Sequence, residues 1–150
     1  MKNIFLIVFL LFYGISECQE NFNPYDQGVK EFFDSQIKKK YLNLDKVDTI
    51  YVSEMAIVTK DLSKTYFYNG RNIPLKVVSD KILKQGYIGQ VLEINPISLK
   101  DNELFFSVSL LGVKINKNGQ IELIITEGVF EIFKLKFNKK SERYYIEIGK

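Results

Sequence analysis

Three glutamates interrupt apolar stretches of this chain. Glu93 lies between Leu92 and Ile94, Glu122 lies between Ile121 and Leu123, and Glu131 falls on the apolar phase of Val129, Phe133 and Leu135. Two carboxylates brought together can perform general acid–base or glycosidase chemistry. One that faces into a sheet's concavity would have its pKa raised by desolvation. The plainer reading is a charge at a strand end or on the solvent face. No histidine occurs in the 150 residues. That removes Ser-His-Asp and Cys-His catalysis and most zinc, copper and haem ligation. No phosphate-binding loop, dinucleotide fingerprint or EF-hand loop is present either. The residue inventory points away from an enzyme and implies no cofactor and no metal ion.

Two other groups suit binding better than catalysis. Tyr66, Tyr68 and Arg71 flank Asn69-Gly70. On a hairpin, Tyr66 and Tyr68 share one face with Phe67 on the other, and aromatics beside an arginine are common in binding surfaces. Cross-strand packing is the plainer account. Lys38-Lys39-Lys40 is a basic run where a helix should end, which the helix dipole favours. Lys134, Lys136, Lys139, Lys140 and Arg143 crowd the last hairpin. Alternating lysines protect sheet edges, and a net charge of +3 implies no nucleic-acid partner.

The only cysteine, Cys18, ends a distinctive segment. Lys2 precedes an apolar run from Ile4 to Tyr13, and Gly14 leads into Ser16-Glu17-Cys18. Charged, hydrophobic and small-residue regions in that order make residues 1–18 a secretory signal peptide. The run is about half the ~20 residues of a membrane span. Cleavage after Cys18 would leave Gln19 at the mature N-terminus. The alternative is lipid attachment at Cys18 itself, since Ile15-Ser16-Glu17-Cys18 resembles a lipobox, with Glu17 where that motif has a small residue. The two routes give a soluble periplasmic or secreted protein and a membrane-anchored lipoprotein respectively. Neither leaves a cysteine for an internal disulfide.

Residues 19–150 then form a single domain with a sizeable core. The 12 Phe and 9 Tyr favour sheet. Asn23-Pro24 caps a helix, and Val29, Phe32, Phe33, Ile37, Tyr41 and Leu44 recur on one face, predicting an amphipathic helix over 25–42. Strand follows over 47–58, a turn over 61–64, and a hairpin through Asn69-Gly70 whose second arm Pro74 ends or confines to an edge. Leu75–Val78 reads as a short strand. Ser79 opens a short helix stopped by Gly86. A meander begins at Val91. Its apolar phase shifts across Asn95-Pro96 and again after Gly112, which predicts bulges and strong curvature. Glu127-Gly128 reads as a further tight turn or bulge. The fold class is α+β: one long N-terminal amphipathic helix packed on a curved antiparallel sheet, with a short second helix.

Leu92 to Ile148, closing on Phe133-Lys134-Leu135-Lys136-Phe137 and Tyr144-Tyr145-Ile146, resembles in layout the small exported proteins of unknown function found in Bacteroidetes. That resemblance implies export from a didermic bacterium and no known activity. The helix-on-curved-sheet arrangement is similar to cystatin-like and NTF2-like folds. The cystatin Gln-x-Val-x-Gly loop and the histidine common in NTF2-like cavities are both missing. The expected function is a non-enzymatic exported domain that binds a protein or a small apolar ligand, or serves structurally at the cell envelope. The alternatives are a small NTF2-like cavity enzyme using a carboxylate and a tyrosine, and a toxin-immunity or inhibitor protein.

Overall fold

The structure, a computed structural model, describes residues 22–54, 62–86 and 88–149, with the backbone alone for 125–128. The signal segment with Cys18, the distal part of the predicted 47–58 strand and Asp61 lie outside the described residues.

Helix α1 spans Pro24–Lys38. Its start follows from Asn23, whose side-chain oxygen accepts from the backbone N–H groups of Tyr25 (3.0 Å) and Asp26 (3.3 Å). Its end falls four residues before the predicted one. Lys40 takes a left-handed φ of 62°. Its N–H donates to the Ile37 carbonyl and that of Tyr41 to the Gln36 carbonyl. This is the Schellman closure, built on lysine where glycine is usual. Tyr41 is therefore exposed, and Leu44 reaches the core from a loop rather than from the helix. The buried side of α1 carries Gly28 and Gln36 beside Val29, Phe32 and Phe33.

Strands β1 (Ile50–Ser53), β2 (Thr65–Tyr68) and β3 (Arg71–Val78) come next, then helix α2 (Asp80–Leu83). Strands β4 (Gln90–Lys100), β5 (Glu103–Ile115), β6 (Ile121–Asn138) and β7 (Arg143–Ile148) complete the chain. They form one curled, antiparallel-rich, seven-stranded sheet in the order β2-β3-β1-β4-β5-β6-β7. The β4–β7 part is the expected meander. The first part departs from it, because β1 lies between β3 and β4 and runs parallel to both. Parallel neighbours require a crossover, and α2 sits in the one joining β3 to β4. The β2–β3 hairpin turns at Asn69 and Gly70, whose φ angles of 47° and 78° suit a type I′ turn. Pro74 does not end β3. It sits where pairing with β2 gives way to pairing with β1, opposite Thr65 and just before Leu75 meets Ile50.

The two phase shifts have different causes. Across Asn95-Pro96 the β4–β5 register slips, so that Pro96 and Ile97 oppose Phe106 alone. This is a true bulge, and the Ile97 N–H finds its partner in the Tyr25 hydroxyl at 3.1 Å. The shift along β5 is instead a change of covered face. Leu110 belongs to the main core under α1, with Phe32, Phe33, Leu92, Phe106 and Phe133. Leu111 belongs to a second core on the opposite face, with Val78, Leu83, Ile88 and Val91. The register irregularity there falls on β6, between the residues paired with Ser109 and Leu111, and contains Glu127-Gly128.

Candidate functional site

Glu131 is the one carboxylate buried among the described residues. Its position on β6 between Val129 and Phe133 turns it toward α1, opposite Val108 of β5. Three side chains from the end of α1 converge on its Oε1. The Ser35 hydroxyl donates at 2.8 Å, the Gln36 amide Nε2 at 2.9 Å, and the Lys39 ammonium completes the set. The carboxylate side chain is 8% exposed and that of Lys39 is 47% exposed, so the ion pair spans from core to solvent. Gln36 is fully buried and its Oε1 has no hydrogen-bond partner. Turning the amide over would set that oxygen against the carboxylate, so Nε2 must face Glu131.

This cluster fastens the helix C-terminus to the sheet. A general base must reach a substrate proton within hydrogen-bond distance, and Glu131 instead lies under a helix with three donors on one oxygen. Glu93 points to the opposite face, paired in register with Ser109, so the two cannot act as a pair. Glu122 is exposed and accepts from the Asn116 amide at 3.2 Å. Among the described residues no group of His, Cys, Asp and Glu is arranged to hold a metal ion.

The hairpin residues occupy three different settings. Tyr66 is buried, its ring 4.8 Å from that of Phe33, and its hydroxyl donates to Asp34 at 2.8 Å. Burial first, then the Asp34 hydrogen bond and charge, push its pKa well above the tyrosine range. Tyr68 packs half-buried against the main core. The Arg71 guanidinium donates to the Leu44 carbonyl at 2.7 Å, clamping the hairpin to the loop after α1. The aromatic that does face solvent is Phe67, 69% exposed. An open groove of about 540 Å³ runs between the first half of α1 and this hairpin. Asp26, Lys30, Glu31, Tyr66 and Phe67 are among its lining residues, and Glu131 is not. Asp26 is already engaged by the Ser63 hydroxyl at 2.7 Å.

Comparison with protein-family models, curated proteins and solved structures finds no match for the chain. Ser35, Gln36 and Lys39 are not among the expected functional residues, although the sequence carries a signal for Gln36. Gln36 interrupts the buried stripe of α1, three residues after Phe33, just as Glu131 interrupts that of β6. Two polar interruptions on stripes that share one core should meet, because each needs the other's hydrogen bond.

Proposed function

We propose that this chain is an exported, non-enzymatic domain of the bacterial cell envelope that acts through its outer surface, by binding a protein or small apolar ligand or by a structural role. The observation that carries this reading is the filling of the concave face. Phe32 and Phe33 of α1 are buried there against Phe106 and Phe133, whose rings stack at 5.1 Å. In this reading α1 is the amphipathic element that seals the sheet, and its polar side remains available. A cavity enzyme of NTF2-like shape calls for a carboxylate inside a hollow, whereas Glu131 is tied to a helix. The residue 1–18 layout supports export.

Two experiments test the proposal. Mass spectrometry of the mature N-terminus should find either Gln19, free or cyclised, or a lipid-modified Cys18; an intact Met1 would overturn export. Ligand screens and envelope pull-downs should give a partner, with no turnover. Turnover lost in Glu131→Gln or Glu93→Gln would overturn the non-enzymatic reading.

A further inference from the structure

At one end of the concave face the sheet extends beyond the first turn of α1, and its apolar residues are left partly or largely exposed. Leu99, Leu104, Leu135 and Ile146 form one row across β4, β5, β6 and β7. Phe137 and Tyr144 form the next, with rings 4.9 Å apart. Leu99 is 69% exposed, Tyr144 51% and Phe137 49%. Phe22, itself exposed, stacks on Tyr144 at 6.4 Å. Several large apolar side chains gathered at one exposed place mark an interaction surface. The turns at this end add charge. Lys100, Lys139 and Lys140 are exposed there, with Lys134 and Lys136 just behind on the convex face, against Asp101, Glu103 and Glu142.

We propose that this end of the sheet docks on a bilayer containing anionic phospholipid. Phenylalanine and tyrosine rings on an apolar rim, backed by an excess of lysines, match the interfacial zone of a membrane. The chain's route supports the same orientation. Phe22 lies on the rim, and Cys18 is four residues earlier, within ~14 Å even of fully extended chain. A lipid on Cys18 would hold this end, and no other, against the membrane. If cleavage removes Cys18, the rim alone supplies a weak, reversible contact. The inference rests on the envelope reading above for its setting, but the contact itself is measurable on purified protein.

The test uses a chain beginning at Gln19, which retains both cores, since these lie within the described residues. It should co-sediment with phosphatidylethanolamine–phosphatidylglycerol vesicles and do so less as salt rises. Leu99→Ser with Tyr144→Ser should weaken partition by ~10-fold or more. Both side chains are mostly exposed, so the melting temperature should hold, and an unchanged melt verifies the fold. Absence of vesicle binding, or equal binding by the double variant, overturns the proposal. So does a concentration-dependent dimer that the same substitutions dissolve without any vesicle binding, which would assign the rim to a second copy of the chain. These outcomes leave export to the mature N-terminus, so the two readings fail separately.

Discussion

Replacing Glu131 with leucine should destabilise the domain mainly through a residue that is not charged. The Lys39 ammonium is nearly half exposed and can return to water, so its loss of a partner costs little. Gln36 cannot. It is fully buried, its Oε1 already lacks a partner, and Glu131 is the acceptor for its Nε2. Without Glu131 both ends of a buried amide are unmatched. Leaving a buried neutral amide without its partner costs ~1–3 kcal/mol, a sizeable part of the ~5–15 kcal/mol typical of a domain. Adding Gln36→Leu to Glu131→Leu deletes the stranded amide and should restore ~1–3 kcal/mol. The double variant should therefore be more stable than the Glu131 single. Urea denaturation followed by far-ultraviolet circular dichroism gives all three midpoints. A double variant less stable than Glu131→Leu would refute the reasoning, as would a Glu131→Leu cost below ~1 kcal/mol.

Three further outcomes follow from local geometry. Gly28→Ala, ordinarily stabilising inside a helix by ~1 kcal/mol, should here cost ~1–3 kcal/mol, because a Cβ would lie 2.6 Å from the Phe106 Cζ; a raised melting temperature would contradict this. Tyr66 has its pKa raised above the ordinary 10.0, so the folded state holds the phenol proton more tightly than the unfolded chain does. Its contribution is complete below the unfolded-state pKa and is lost as pH rises past it. Stability should fall above about pH 10, and Tyr66→Phe should flatten that fall; parallel losses in both proteins over about pH 9 to 11 would refute it. Tyr25→Phe strips the bulge N–H of Ile97 of its acceptor and should cost ~1 kcal/mol by denaturant midpoint; an unchanged midpoint would contradict this.

Where structure is decided within a few residues, the chain is readable. Asn23-Pro24 marks the start of α1, Asn69-Gly70 the hairpin and Asn95-Pro96 the bulge, since each works through φ angles or caps that these residues supply themselves. The end of α1 is less legible because Lys40 adopts a left-handed conformation with no glycine to announce it. The place of β1 is hidden for another reason. Four residues carry too little pattern to reveal that both neighbours are parallel, and the choice depends on strands far along the chain. Alternation also misleads in β5, where a switch of buried face between Leu110 and Leu111 has the same period as a bulge. Of the site, Glu131 stands out in the sequence as a charge on a buried phase. Lys39 does not, because a lysine at a helix C-terminus already has an explanation, and its true partner lies 92 positions away.

Among the described residues a single registered pair, Val52 with Leu92, joins β1 to β4 and gives the sheet a seam. On one side lie β1 and the β2–β3 hairpin, and on the other the long meander. Among the described residues few backbone hydrogen bonds cross it, so side chains must hold the halves together, Val52 and Leu92 from the concave face and Val78 and Val91 from the convex one. The sheet thus behaves as two leaves pinned on both surfaces. When it breathes, it should part along that line, and amides of β1 should exchange with solvent well before those of β5.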